Sequence, residues 1–127
     1  MIMRFAAVIL ILLLAVSLLA QARRPTPVSI VQLIANPKAY HGKFVRVVGF
    51  ASIEFEGTAV YLHEDDYRHG IHKNGLWLDF SGGKSRSEQL EFHEKYVLIE
   101  GTFDANMKGH RGAYSGAIVN IKRIELH

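Results

Sequence analysis

The sequence contains no cysteine, and its charges of opposite sign nearly balance. Without cysteine the chain can form no disulfide framework, and it has no residue to acylate as a lipoprotein. The formal charge is +3, or +2 when Arg4 of the N-terminal segment is not counted. A charge of this size is too small to indicate a polyanionic partner. These absences exclude a small disulfide-stapled module and indicate a domain held together by burial and hydrogen bonding.

The chain begins with the features of a secretory signal. A short cationic start precedes an apolar run from Phe5 to Ala20, and small residues of Ala20-Gln21-Ala22 occupy the minus-three and minus-one positions of a cleavage site. The run corresponds to about 24 Å of helix, less than the roughly 30 Å of a hydrocarbon core. These features predict a signal peptide over residues 1–22, cleavage after Ala22, and export to a periplasm or to the medium. The alternative is retention as an N-terminal anchor, with Arg23 and Arg24 as stop-transfer charges.

Residues 23–127 are enough for one domain with one hydrophobic core. Near their start, Ser29 and Gln32 fit a capping box, in which each side chain bonds the other residue's backbone N–H. Asn36-Pro37 then ends the helix, because proline disfavours helical geometry at the residue before it. This segment is predicted to be a short helix.

Five later segments have the composition and alternation of β-strands. A glycine, Gly49, lies inside the first of them, where it marks a bulge or a sharp bend of the kind that small barrels need. A second capping box, Ser85 to Glu88, opens a helix that continues to about His93 with Leu90 as its apolar anchor. The five predicted strands are Lys43–Phe55, Thr58–Leu62, Leu76–Phe80, Tyr96–Phe103 and Ala117–Leu126.

This order of elements predicts a mainly β protein, a five-stranded Greek-key barrel of the OB type with a helix between strands three and four. A small sandwich or roll with the same elements is the alternative. Scaffold residues recur along most of the mature chain. They are Leu33, Asn36-Pro37, Tyr40, Gly42-Lys43, Val45, Val47, Gly49, Val97, Ile99, Glu100-Gly101, Ile118, Ile121 and Ile124.

This pattern resembles small bacterial OB-fold families, exported ones included, and tRNA-anticodon-like OB domains whose first strand reads Gly-Lys-x-Val-x-Val-x-Gly. The resemblance implies a ligand on the outer face of strands two and three and in the loops after strands one and four. It implies no particular ligand, since a fold alone does not determine a function.

That expectation places aromatic and cationic side chains at a candidate ligand-binding site. Bases stack on aromatic rings while cations contact phosphates, as single-stranded nucleic acid requires. Acidic residues near the same face, Glu54, Glu56 and Glu64-Asp65-Asp66, oppose a phosphate backbone. In the other interpretation, the aromatic side chains only cover the barrel. The candidate residues are Arg46, Tyr61, Trp77, Lys108, Arg111 and Tyr114, with His110 in the same loop as the last three.

Three histidines, His63, His69 and His72, lie within ten residues and among carboxylates. Two imidazoles and a carboxylate could bind zinc or copper. Their spacing does not match His-Glu-x-x-His, and Gly70 interrupts any helical presentation. Exposed or hydrogen-bonding histidines are therefore the other interpretation, and no cofactor is predicted.

The sequence contains no recognisable catalytic constellation. It has no Gly-x-Ser-x-Gly elbow, and Ser81–Ser85 lacks the spacing of a phosphate-binding loop. Glu100 is expected to pair with a cation on an adjacent strand, such as Arg46 or Lys122, in a structural role. The sequence thus predicts an exported, non-catalytic binding module for a protein or small molecule of the cell envelope. Single-stranded nucleic-acid binding and metal binding are the alternatives.

Overall fold

The computed structural model describes residues 1–22 and 24–127, and for residues 20–22 it describes the backbone alone. The helices are α1 (Ile2–Ala22), α2 (Ile30–Ala35), α3 (Pro37–Tyr40), α4 (Glu64–Arg68) and α5 (Arg86–Gln89). The strands are β1 (Thr26–Pro27), β2 (Phe44–Ser52), β3 (Ala59–Tyr61), β4 (Gly75–Leu78), β5 (Lys95–Asp104) and β6 (Ala117–Leu126). Short 3-10 turns cover His72–Asn74, Leu90–Phe92 and His110–Gly112.

Strands β2 to β6 close into a barrel. The neighbours follow the order β2-β3-β4-β6-β5, and β5 pairs with β2 again to complete the ring. All these pairs are antiparallel except β4 with β6, which are parallel. This closed strand order confirms the predicted OB-like fold. The parallel pairing of β4 with β6 results from the long Greek-key connection through α5 and β5. Strand β1 adds a short parallel pairing to the edge of β2.

Two glycines allow the barrel to close. A Cβ atom on Gly49 would lie 2.5 Å from the Tyr61 carbonyl oxygen, so β2 and β3 can approach there only without a side chain. The β2–β5 register runs through Gly49 without interruption, so this glycine serves a close approach and not a bulge. The bulge lies between β5 and β6 beside Gly101, where Asn120 adopts a φ of 48°.

Local capping signals define the helices. Ser29 Oγ accepts from the Gln32 N–H at 3.1 Å, and Gln32 Oε1 accepts from the Ser29 N–H at 2.9 Å, which confirms the first capping box. The helix α2 ends before Asn36, and Pro37 begins α3. The side chains that α2 buries, Ile30 and Leu33, are fully enclosed in the core.

The helix between β4 and β5 is shorter than predicted. Ser85 Oγ accepts from the Glu88 N–H at 3.4 Å, but α5 ends at Gln89 and tightens into a 3-10 turn. The tighter turn changes which side chain faces the barrel. Leu90 is therefore half exposed, and Phe92 is the residue that packs into the core.

One hydrophobic core fills the barrel and extends beneath α2. Alternate residues of the long strands point inward, as the period of two requires. Glu100, on the outer face of β5, is nevertheless buried. The largest enclosed core side chains are Ile30, Leu33, Val45, Val47, Ile53, Val60, Leu76, Val97, Ile99, Phe103 and Ile118.

Helix α1 is exposed along the length that the structure describes with side chains. Its segment Ile2–Leu19 is long and apolar enough to cross a membrane, and none of that segment is buried. It is compatible with a signal peptide or an anchor. The predicted cleavage point after Ala22 adjoins Arg23, which lies outside the described residues, so cleavage and the division at residue 22 stay predictions.

Candidate ligand-binding site

The outer face of β3 and β4 carries a second, smaller apolar cluster. Strand alternation turns Ala59 and Tyr61 outward, and Tyr114 packs on them from the loop after β5. Tyr61 and Tyr114 are each only 2% exposed. Neither ring is available for stacking with a ligand in this structure, although both belong to the predicted site. Trp77, Tyr67 and Ala113 flank the cluster.

Residues 105–116, here called the covering loop, bury this face. The loop folds back so that the Trp77 N–H donates to the Gly116 carbonyl at 2.9 Å and the Ser115 N–H donates to the Gly75 carbonyl at 3.1 Å. A third bond, from the Tyr114 N–H to the Lys108 carbonyl at 3.1 Å, closes the loop on itself. The covering loop is therefore fixed to β4 by backbone bonds.

Hydrogen bonds and stacking fix the two buried phenols. His72 stacks on Tyr114 with ring centroids 5.3 Å apart, and its Nδ1 lies 3.3 Å from Tyr61 Oη. Tyr61 Oη donates to Tyr114 Oη at 3.5 Å. Burial, followed by the hydrogen bond with Tyr114, raises the pKa of Tyr61 well above its usual value of 10.0. This pair is a neutral structural cluster.

Tyr67 links α4 to the hairpin between β2 and β3. Its hydroxyl lies 2.7 Å from Glu54 Oε1 and 3.2 Å from Glu94 Oε1. The hydrogen bond to Glu54, with burial next in size, raises the pKa of Tyr67 strongly. Arg68 forms ion pairs with both Glu94 and Glu64. The acidic groups of this local network are therefore paired with Arg68 or hydrogen-bonded to Tyr67.

An open groove lies beside this cluster, between the covering loop and the β2–β3 hairpin. We call it the Trp77 groove, and it encloses about 450 Å³. A Cβ on Gly109 would lie 2.5 Å from Trp77 Cε3, so the backbone of the covering loop rests on one part of the partly buried indole. His110 Nε2 lies 3.2 Å from Glu56 Oε2 and connects the two walls. The lining residues are Glu56, Trp77, Met107, Lys108, Gly109 and His110.

The predicted binding residues fall into separate groups in the structure. Lys108 and Arg111 are exposed on the covering loop, and Lys108 lines the Trp77 groove. Arg46 belongs to a different surface, because it lies on the half of β2 that pairs with β1 and β5. The structure therefore brings Trp77 and Lys108 together, buries Tyr61 and Tyr114, and places Arg46 apart.

Arg46 binds Glu100, as expected for that carboxylate. Arg46 Nε donates to Glu100 Oε1 at 2.8 Å, and Arg123 donates to the same oxygen at 3.1 Å. The predicted pairing of Glu100 with Arg46 is thus confirmed, whereas the second cation that binds Glu100 is Arg123 and not Lys122. The reason is register: Arg123 is the β6 partner of Glu100, and Lys122 points to the opposite face.

The three clustered histidines take part in separate contacts. His63 Nδ1 accepts from the Asp65 N–H at the start of α4, His72 stacks on Tyr114, and His69 caps the end of α4. Gly70, with a φ of 65°, turns the chain between them. Among the described residues no three His, Cys, Asp or Glu side chains group around one point, and metal binding by these histidines stays a prediction.

Two components of the groove were not predicted from the sequence. Met107 forms an apolar part of the groove wall. The contact between Glu56 and His110 joins two loops that are distant in sequence. The available signal was weak: a glycine-rich, basic loop after strand four, without any indication that it folds onto β4.

Comparison with protein-family models and with curated proteins gives no match. A solved protein from Leishmania major Friedlin, named as an aspartyl-tRNA synthetase, is similar to the chain with 11% sequence identity and a TM-score of 0.48. The similarity covers 82% of this chain and 21% of that protein, so the chain spans about a fifth of its length. The OB-like fold is established by the strand pairing itself.

Proposed function

We propose that the protein is an exported, non-catalytic binding module that holds its ligand in the Trp77 groove. The supporting observation is the partly buried Trp77 ring at the floor of an open groove between two loops. Ligand sites are typically concave and mostly apolar, with a few polar groups, and occupy about 300 to 1,000 Å³. The groove of about 450 Å³ falls within this range.

The lining indicates the chemistry of the ligand. Trp77 and Met107 offer apolar surface, whereas Lys108 places an exposed cation at the rim. Glu56 is already engaged by His110. A ligand that combines one apolar group with one anionic group would satisfy this lining, and export makes it a protein segment or small molecule of the cell envelope.

Single-stranded nucleic acid is the second candidate. Two exposed cations of the covering loop, Lys108 in the Trp77 groove and Arg111 three residues later, favour it because cations contact phosphates while bases stack on aromatic rings. Successive bases need successive rings, however, and Tyr61 and Tyr114 are buried. The backbone of the covering loop at Gly109 also covers part of the Trp77 ring. We therefore favour a ligand smaller than an oligonucleotide that combines one apolar group with one anionic group.

Trp77 is the one tryptophan of the chain, so its fluorescence reports directly on the groove. We would titrate the full-length protein in mild detergent with tryptophan-free tripeptides containing phenylalanine and a free carboxylate, and separately with a twelve-residue oligothymidylate. The proposal expects a saturable emission change with a peptide, lost in Lys108→Ala and kept in Lys38→Ala, an exposed lysine on α3.

The two candidates give different results. A saturable, salt-sensitive change with oligothymidylate and none with any peptide would replace the favoured ligand by nucleic acid. If neither probe changes the emission of a folded protein, the Trp77 groove is not a site for either ligand class.

A further inference from the structure

The second half of β6 has an open edge. Strand β6 pairs with β4 only at Ala117 and Ile118, after which β4 ends and the chain leaves through the Phe80–Lys84 loop. From Arg123 to Leu126 its ladder partner is β5 alone among the described residues, and Asn120–Lys122 belong to the bulge. A partly open groove of about 290 Å³ lies between that loop and Asn120–Ile124.

The backbone groups that face this edge can be assigned from the ladder. The His127 N–H donates to the Tyr96 carbonyl, which makes this a hydrogen-bonded pair of the antiparallel ladder. Such pairs alternate along antiparallel strands, so Glu125 and Arg123 also direct their backbone groups toward β5. The N–H and C=O groups of Ile124 and Leu126 therefore point outward, away from β5.

An exposed edge of this kind is a template for another strand. By contrast, β1 covers the edge of β2 beside Val45 and Arg46. Leu126 is also 60% exposed, which adds an apolar side chain beside the open backbone groups.

We infer that β6 pairs with β6 of a second copy of this chain, in antiparallel register centred on Ile124. The residues on the outward face of this segment are a cation, Arg123, followed two positions later by an anion, Glu125. A two-fold axis at Ile124 places Arg123 of each copy opposite Glu125 of the other. Opposite charges directly across a strand pair stabilise it, and like charges destabilise it.

The neighbouring symmetric registers are unfavourable. An axis at Arg123 places two arginines opposite each other, and an axis at Glu125 places two glutamates opposite each other. The register at Ile124 also matches the outward backbone groups, since it pairs Ile124 with itself as a hydrogen-bonded pair. It places Leu126 of each copy beside the aliphatic stem of Lys122 from the other.

Arg123 retains capacity for this contact. Its guanidinium bonds Glu125 and Glu100 through three of its five N–H donors. The remaining donors and its 45% exposed side chain leave it available to a second carboxylate. The inference depends on β6 alone and is independent of the function proposed for the Trp77 groove.

Disulfide crosslinking tests the register, because the chain has no cysteine of its own. We would prepare full-length Arg123→Cys and Glu125→Cys variants in mild detergent, one of them with a tag that changes its size, and oxidise them separately and as an equal mixture. The expected product is the mixed dimer, with little crosslinking of either variant alone. Equal yields from the single variants and the mixture, or no mixed dimer from folded proteins, would overturn the inference.

Two further variants test the dimer without a thiol. Glu125→Lys places a cation opposite Arg123, and Leu126→Pro removes an outward N–H that makes no ladder bond. Sedimentation of the full-length chain in detergent is expected to give a dimer for the wild type and monomers for both variants. Glu91→Lys, an exposed site on the 3-10 turn after α5, is the matched control and is expected to stay dimeric.

All of these proteins retain α1, so association through that helix is the same in each. A monomeric wild type, or dimers that persist in Glu125→Lys and Leu126→Pro, would contradict pairing through β6.

Discussion

His110 Nε2 lies 3.2 Å from Glu56 Oε2, and this contact joins the covering loop to the β2–β3 hairpin beside Trp77. The two side chains are 36% and 50% exposed, so the contact is solvated and carries an ionic component only when His110 is protonated. It is the side-chain contact that connects the two groove walls.

Replacing His110 by alanine is expected to loosen the covering loop and leave the barrel intact. An exposed ion pair contributes about 0 to 1 kcal/mol, so the free energy of unfolding should change little. The amides of residues 106–112 should exchange faster with solvent, and Trp77 emission should shift. Unchanged exchange in this loop would show that the contact with Glu56 does not hold the groove.

Gly49→Ala is expected to destabilise the barrel strongly. The added Cβ would meet the Tyr61 carbonyl oxygen at 2.5 Å and Ile30 Cδ1 at 2.8 Å, and a backbone atom cannot move aside easily. Overpacking of this kind costs about 1 to 3 kcal/mol. Urea unfolding measures the loss. The control is Gly57→Ala, whose nearest contact is 3.4 Å, and equal stability of the two variants would contradict the close approach of β2 and β3.

The buried tyrosine predicts a loss of stability at alkaline pH. Burial and the Tyr114 hydrogen bond raise the pKa of Tyr61 in the folded protein above its unfolded value of 10.0. The folded state therefore holds this proton more tightly, and the stabilisation is complete below pH 10 and declines as the pH rises above 10. Tyr67 acts in the same direction.

The measurement is the free energy of unfolding in urea at several pH values above neutrality. We expect the wild type to lose stability above pH 10 and Tyr61→Phe to lose less over the same interval. Parallel curves for the two proteins would show that the Tyr61 hydroxyl does not contribute.

Glu100→Gln is expected to weaken the outer face of the sheet. The buried carboxylate accepts bonds from Arg46 at 2.8 Å and Arg123 at 3.1 Å, and its loss leaves two cations with a neutral amide between them. Both partners are partly exposed, so solvent reduces the effect, and we expect a loss of about 1 to 2 kcal/mol. Urea unfolding at low and high salt checks this, with the exposed Glu91→Gln as control; equal stabilities would contradict it.

The N-terminus of the protein recovered from producing cells tests the predicted signal peptide. If α1 is cleaved after Ala22, intact-mass measurement of protein recovered from the producing cells should show a chain that begins at Arg23. Recovery of the uncleaved chain in the membrane fraction would instead support the anchor.

Local sequence patterns were enough to predict the elements that depend on neighbours in the chain. The Ser29–Gln32 capping box predicts α2 because both bonds form within one turn, and alternation in β2 predicts that Val45 and Val47 point inward. The order of these elements predicted the OB-like barrel, with a small sandwich or roll as the alternative, and the strand pairing confirmed the barrel. The apolar run that forms α1 was likewise evident from composition alone.

The outer surface of the barrel could not be predicted in this way, because its exposed and buried side chains depend on tertiary contacts. Tyr61 is buried because Tyr114, 53 positions later, folds over it, and strand alternation shows only that Tyr61 faces outward. Arg123 replaces Lys122 beside Glu100 because strand register, displaced by the bulge at Asn120, selects the partner. Phe92 replaces Leu90 in the core because α5 tightens into a 3-10 turn. Each outcome depends on contacts between distant segments, whose free energies outweigh the local preferences that a sequence displays.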